Sequence, residues 1–198
     1  MNIIRPIKKE FIKHGGVLKT AELNKLGLNS RQIKRLHEQG EISRIKRGFY
    51  ELSDYTPREE VIIARLFPGA VIFLESALLH YGYTDRIPAA WQIAVSRHKK
   101  TSQYKIDYLL LEPYYHKPKF IGVGVNTIYV DDVAVKIYDR DRTMCDVLRY
   151  ENKIENEVFN NAVRRYVKDR KKDIRRLFEY AGIFNMRNKV RRYIGVWL

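Results

Sequence analysis

The sequence predicts an α+β protein: an N-terminal winged helix-turn-helix followed by a mixed C-terminal domain with a small sheet and a helical tail. Three observations carry this expectation. Residues Gly15 to Leu52 set helix caps, glycine stops and two short apolar stretches at the spacing of two helices and a hairpin. From Trp91 the apolar residues alternate with period two, and after Asp139 they recur with helical period.

A first helix is expected over Ile3 to His14, with Ile4, Ile7, Phe11 and Ile12 on its buried side and Gly15-Gly16 ending it. Thr20 is placed to N-cap a helix over Ala21 to Leu26, which Gly27 stops. Leu28 fills the turn. Asn29, with Gln32 three residues later, makes a capping-box start for a second helix that turns Ile33 and Leu36 inward and ends at Gly40. Ile42 and Ile45, a Lys46-Arg47-Gly48 tip, and Phe49, Tyr50 and Leu52 then read as two strands around a basic turn, which is the pattern of a wing. Residues 1–54 are therefore expected to form a DNA-binding domain, and 55–198 a second domain in which 55–90 also reads as a connecting segment.

Thr56-Pro57-Arg58-Glu59-Glu60 predicts a helix start, running to Phe67 before the Pro68-Gly69 break. Glu75 to Tyr83 predicts a short helix. Trp91 to Ser96, Ile106 to Leu111, Thr127 to Val130 and Val133 to Tyr138 predict strands, the last two paired around Asp131-Asp132. Three amphipathic helices follow. Their apolar stripes run through Val158, Phe159, Ala162, Val163, Tyr166 and Val167, then Ile174, Leu177, Phe178 and Ala181 up to a stop at Gly182, then Met186, Val190, Tyr193, Ile194 and Trp197. The aromatic members Tyr166, Phe178, Tyr193 and Trp197 are expected in the core.

Charge is uneven along the chain. Residues 1–50 carry 12 Lys/Arg against 4 Asp/Glu, residues 51–150 carry 13 against 13, and residues 151–198 carry 13 against 6. Two basic lobes around a neutral middle point to polyanion contact at defined places, foremost nucleic acid. Cys145 is the only cysteine, which excludes an intrachain disulfide and a Cys-based zinc site. The early charges Arg5, Lys8, Lys9 and Glu10 interrupt any signal-peptide apolar run, and no stretch approaches the roughly 18 apolar residues of a membrane span, so a cytoplasmic protein is expected.

Arg31, Lys34 and Arg35 lie on the outer face of the second helix, and Arg44, Lys46 and Arg47 on the hairpin. Arg31 and Lys34, near the helix start, are the candidates for base edges, whereas the wing cations suit phosphates. Arg164, Arg165, Arg175, Arg176, Arg191 and Arg192 form either a solvated face of the tail or a second basic surface. No catalytic residue, metal site or cofactor is expected. His14, His37, His80, His98 and His116 show no metal-ligand spacing, and no phosphate-loop, dinucleotide-binding or nucleophile-elbow pattern is present. A metal-dependent nuclease needs an acid, then an acid two residues before a lysine. Asp107, Glu112, Asp132 and Lys136 offer the parts, but Ala134 stands where the second carboxylate belongs. Asp139, Asp141 and Asp146 around Arg140, Arg142 and Arg149 read as helix-start acids and ion pairs.

The residues Gly15, Gly16, Thr20, Glu22, Leu23, Gly27, Leu28, Arg35, Leu36, Gly40, Ile42, Arg44, Ile45, Arg47, Gly48 and Tyr50 fall in an order that resembles the N-terminal domain of AbiEi-type antitoxins. These belong to the AbiE abortive-infection systems, classed as type IV toxin–antitoxin pairs. The likeness continues through Glu75-Ser76-Ala77-Leu78 and the stretch Asp139 to Asp146. It implies a bacterial two-domain autorepressor that binds inverted repeats in promoter DNA, with more than one copy acting on one site. It also implies a C-terminal domain that opposes a nucleotidyltransferase-like toxin without a stable complex. No catalytic residue carries over. A regulator with a ligand-sensing C-terminal domain, and a nucleic-acid-processing enzyme docked by a winged helix, are the competing readings.

Overall fold

The computed structural model describes residues 4–197, and it is a mixed α+β chain with two small sheets and C-terminal helices. The chain divides into two compact units, one of residues 1–69 with 105–109 and 127–135, the other of 70–104, 110–126 and 136–198.

The first unit begins with α1, Ile4–Lys13, followed by β1, Val17–Lys19. Ile7 and Phe11 are buried, but Ile12, expected beside them, is exposed. The Ile3 start and the Ile4 side chain lie outside the described residues. Gly16 ends this passage at φ +85°, where an added Cβ would fall 2.3 Å from the Tyr55 ring, so only glycine fits. Helix α2, Thr20–Lys25, starts one residue earlier than expected, and Lys19 holds the cap position. Glu22 holds this start from inside the helix: the Lys19 backbone N–H donates to its Oε2 at 2.7 Å. Helix α3, Ser30–Glu38, and the strands β2, Ile42–Lys46, and β3, Phe49–Leu52, follow the sequence reading. They form a three-stranded sheet of order β1-β3-β2. Ile7, Phe11, Leu18, Leu23, Leu28, Ile33, Leu36, Ile42 and Leu52 close one apolar core beneath it.

Helix α4, Glu59–Leu66, starts three residues after Thr56, with Arg58 at the cap position, so Pro57 precedes the helix and is buried outside it. The Arg65 side chain ties this helix to the core: its Nε–H donates to the Val17 carbonyl at 3.1 Å, and its guanidinium pairs with Glu22.

The other sheet is five-stranded, of order β6-β5-β4-β8-β7. Its strands are β4, Val71–Ile72; β5, Trp91–Ser96; β6, Leu111–His116; β7, Val125–Val130; and β8, Val133–Tyr138. Strands β5 and β6 run parallel, as do β4 and β8, whereas β4 and β5 are antiparallel. Two corrections follow. Strand β4 is too short to show a period in sequence, and residues 106–110, expected as a strand, precede β6 instead. Within 106–110 Ile106 and Leu109 are buried while Asp107, Tyr108 and Leu110 are exposed, a spacing of three that imitates no ladder. The hairpin between β7 and β8 turns at Asp131 and Asp132, with φ values of +47° and +60°, as a tight two-residue hairpin turn requires.

The remaining helices lie in the second unit. They are α5, Leu74–His80; α6, Pro118–Ile121; α7, Arg140–Arg149; α8, Asn156–Lys168; α9, Ile174–Ile183; and α10, Arg187–Tyr193. Helix α7 is central, buried from Asp141 to Leu148 among Phe73, Tyr138, Phe159, Ala162, Leu177, Ala181 and Val190. Two tail expectations are corrected. Gly182 lies inside α9, and the stop falls at Asn185, which takes the left-handed φ of +57°. Phe178 and Tyr193 are half-buried and pack against the core, as expected. Trp197 is 64 % exposed, because the short α10 ends before the stripe returns to the core.

Candidate nucleic-acid interface

Helix α3 owes its start to a reciprocal cap. The Gln32 N–H donates to Asn29 Oδ1 at 3.0 Å, and the Asn29 N–H donates to Gln32 Oε1 at 2.9 Å. Its end is set by Gly40 at φ +73°, with the Glu41 N–H returning to the Leu36 carbonyl at 3.0 Å. Between these stops, burial of Ile33 and Leu36 leaves Arg31, Lys34 and Arg35 on the exposed face. Arg31 and Arg35 carry no ion pair among the described residues. Lys34 lies 3.5 Å from Glu38 one turn on. An exposed helix pair of that kind is worth only about 0.3–0.5 kcal/mol, so a phosphate or a base edge can displace the glutamate.

The hairpin is anchored as well as paired. In register, Arg44 faces Tyr50 and Lys46 faces Phe49, with a bulge between them. The turn at Arg47-Gly48 is tied to the start of α2 by the Thr20 N–H, which donates to the Gly48 carbonyl at 2.9 Å. Arg44 and Arg47 are exposed. Lys46 is placed differently: half-buried, its Nζ stands 5.3 Å from the centre of the Phe67 ring, and burial lowers its pKa. Five of the six expected cations thus face solvent on α3 and the hairpin, and the sixth is partly withdrawn.

The tail cations separate in a similar way. Arg164, Arg175, Arg191 and Arg192 are exposed. Arg165 is committed internally: its Nη1–H donates to Asp85 at 2.9 Å and to the Gly82 carbonyl at 3.0 Å, and its Nη2 also pairs with Asp85. Arg176 lies 3.9 Å from Asp139 and 4.0 Å from Asp173. Arg164 and Arg192 line a groove of about 590 Å³ with Phe159, Val163, Tyr193 and Trp197. The six arginines do not act as one uniform patch.

The acid-rich start of α7 is structural in its larger part. Asp139 caps the helix by accepting the Arg142 N–H at 2.7 Å, and Arg140 pairs with Asp169 at 2.9 Å. Asp141 is buried and accepts Tyr166 Oη–H and the Asp173 N–H, each at 2.8 Å, while burial pushes its pKa up. Tyr81, Asn126, Asp139, Arg140, Lys171 and Arg176 border a polar cleft of about 280 Å³ beside this helix. Asp107 belongs to the first unit and Glu112 to the second, where Glu112 binds Gln92 and Tyr114. Among the described residues, no group of three or more His, Cys, Asp or Glu is placed to hold a metal ion. No helix of the described residues is long and apolar enough to cross a membrane.

One set of cations escaped the sequence reading. Arg97, Lys99 and Lys100 are exposed after β5, and Lys117 and Lys119 are exposed at the cap and within α6, after β6. The signal was the run Arg97-His98-Lys99-Lys100 itself, hidden by averaging charge over a neutral middle segment.

Residues 5–53 match the family model described as "Transcriptional regulator, AbiEi antitoxin". The match covers the helix pair and the hairpin and supports an AbiEi-type antitoxin, as the residues had suggested. No curated protein matches the chain in sequence. Among solved structures, the RV2827C protein from Mycobacterium tuberculosis superposes with a TM-score of 0.62 at 11 % identity, over 98 % of this chain and 81 % of that one. At that identity the likeness is one of fold.

Proposed function

We propose that this chain is a DNA-binding antitoxin and autorepressor. Residues 1–54 serve as a winged helix-turn-helix and residues 55–198 as the antitoxin domain. The observation that carries the reading is a coincidence of place. The segment that matches an antitoxin regulator family is the one whose capped helix exposes Arg31, Lys34 and Arg35 and whose anchored hairpin exposes Arg44 and Arg47. Helix α3 enters the major groove of promoter DNA and reads base edges with Arg31 and Lys34, while Arg44 and Arg47 hold phosphates. More than one copy binds the inverted repeats. The domain of residues 55–198 opposes a nucleotidyltransferase-like toxin in the cytoplasm without a stable complex, and the chain itself is not an enzyme.

The test has two arms. Binding is measured on DNA from just upstream of the chain's own gene against scrambled DNA of equal length, over a range of salt. Preference for the upstream DNA supports the repressor, and equal affinity for both rejects it. Co-expression with a toxin encoded beside the gene then asks whether growth is restored.

The polar cleft bordered by Arg140, Lys171 and Arg176 favours one second reading, a regulator whose C-terminal unit senses a small ligand. Restored growth without any added ligand decides for the antitoxin.

A further inference from the structure

Helix α8 and the end of the chain form the two walls of the groove of about 590 Å³ in the second unit. On α8, Phe159, Val163 and Val167 stand four residues apart and make one apolar stripe, which runs for roughly 12 Å, about two turns. The facing wall holds Tyr193, the last residue of α10, and Trp197, four residues on in the helical turn Gly195–Trp197. Both positions are tied down. The Tyr193 hydroxyl pairs with Glu151 and its ring stands edge-on to Phe159 at 5.2 Å, while the Trp197 N–H donates to the Ile194 carbonyl at 2.9 Å.

Cations border both walls. Arg164 and Lys168 each follow a valine of the stripe by one position, and Arg192 precedes Tyr193. All three are exposed. Among the described residues no acidic side chain lines the groove and no ion pair holds any of the three, whereas the neighbouring Arg165 is tied to Asp85.

A solvated helix face accounts for the cations, but not for a Trp ring left 64 % exposed across from a stripe of valines. Single exposed apolar residues are ordinary, whereas these converge on one groove. The lining sorts its occupants. A second copy of this surface would set its own cations against Arg164, Lys168 and Arg192. Single-stranded bases need open ring faces, yet the Arg192 guanidinium lies over the Tyr193 ring at 5.5 Å and the α8 wall beyond Phe159 is aliphatic. A membrane surface takes apolar side chains that protrude, and these line a concavity. An amphipathic helix fits each feature. Side chains at i, i+4 and i+7 match a stripe two turns long, and acids flanking them meet cations on both walls.

We propose that the groove between α8 and the end of the chain docks an acidic amphipathic helix of a partner protein.

The probe is a helical peptide of about 16 residues, long enough to hold its turns, with Leu at i, i+4, i+7 and i+11 and Glu on either side of them. It is titrated into the full-length chain by calorimetry and by tryptophan fluorescence, with Trp197→Phe separating the emission of Trp197 from that of Trp91. A peptide of the same composition in scrambled order measures the general attraction of a chain of net charge +15. A third peptide carries Lys in place of Glu. The acidic amphipathic peptide is expected to bind at least about tenfold more tightly than the scrambled one, and Trp197→Ala to remove that advantage. The triple variant Arg164→Glu/Lys168→Glu/Arg192→Glu is expected to prefer the Lys peptide to the Glu peptide. All four substituted positions are exposed, and circular dichroism verifies the fold. An acidic peptide that binds no better than its scrambled form overturns the proposal, as does a triple variant that keeps the wild-type preference. If instead single-stranded RNA or vesicles of anionic phospholipid bind, and Trp197→Ala abolishes it while the acidic peptide fails, the groove belongs to that ligand and the proposal falls. Self-association of the wild type that Trp197→Ala removes, again with the acidic peptide failing, overturns it in favour of a second copy.

Discussion

Arg142 donates its Nε–H to Asp146 Oδ2 at 2.7 Å, and neither side chain is accessible to solvent. The same guanidinium lies over the rings of Tyr138 and Phe184, and its Nη1 donates to the carbonyls of Phe120 and Val123 at 3.1 and 2.5 Å. One buried cation therefore joins α7, α6 and the loop before β7. Gly124, at φ +73°, brings that loop so close that an added Cβ would fall 2.6 Å from Arg142 Cβ.

Removing one partner of a buried pair strands the other charge and costs about 3–5 kcal/mol. Arg142→Met is expected to lose at least that, because Asp146 stays buried alone and two carbonyls lose their donor. The double variant Arg142→Met/Asp146→Leu is expected to be more stable than Arg142→Met, yet below wild type on account of those carbonyls. Urea unfolding of both singles and the double measures the coupling. Strict additivity would show that the pair does not act as a pair.

His116 gives a pH dependence of known sign. It is buried edge-on against Phe73, its Nε2 has no hydrogen-bond partner among the described residues, and burial followed by the charges of Arg142 and Arg149 lowers its pKa to about 4. In the unfolded chain the ring titrates near its ordinary value of 6.5. As pH falls below 6.5 the unfolded state takes up a proton that the folded state refuses, so stability is lost down to pH of about 4, by about 3 kcal/mol in all. Asp146, which burial pushes up against the pull of Arg142, acts with the opposite sign over the acid part of that window. His116→Phe is expected to gain on the wild type as the solution is acidified from pH 7 to pH of about 4.5. A stability difference that stays constant with pH would mean that the ring titrates alike in the folded and the unfolded chain.

The capping box of α3 is testable through its reciprocity. Asn29→Ala removes the acceptor for the Gln32 N–H and is expected to cost about 1 kcal/mol. Asn29→Ser retains an acceptor and is expected to lose much less. Equal losses in chemical denaturation would show that the helix start is held by burial of Ile33 and Leu36 and not by the cap.

What could be read in advance follows the range of the forces involved. Caps, glycine stops and alternation act over a few residues, so the α3 start at Asn29, the stop at Gly40 and the Arg47-Gly48 turn were legible, as was the exposed face of Arg31, Lys34 and Arg35. Strand β4 was not, since two residues carry no period and it exists only because Ile72 pairs with both Ile93 and Ile137. Lys46 was read as a wing cation, but its withdrawal depends on Phe67, which is distant in sequence. The acids Asp139, Asp141 and Asp146 around Arg140, Arg142 and Arg149 read as helix-start acids and ion pairs, but the sequence does not single out Arg142 with Asp146. Their complete burial depends on the helices that follow. Arg97 and Lys117 are 20 residues apart, and only the parallel register of β5 and β6 places them at the same end of the sheet.

The division of labour between α3 and the hairpin yields the sharpest contrast. Arg31→Ala and Lys34→Ala are each expected to cost about 1–3 kcal/mol on upstream DNA and much less on scrambled DNA, because a side chain that reads a base matters only where the base is right. Arg44→Ala and Arg47→Ala remove the cations proposed to hold phosphates, so both duplexes are expected to weaken alike, with a slope against salt flatter by about one per residue. Lys46→Ala is expected to change affinity least of the hairpin cations, since its amine is turned toward Phe67. Gel-shift or fluorescence titrations of the five variants on the two duplexes give all the needed ratios. Wild-type affinity for upstream DNA in the Arg31→Ala/Lys34→Ala double variant would remove α3 from the groove, whatever the hairpin variants do.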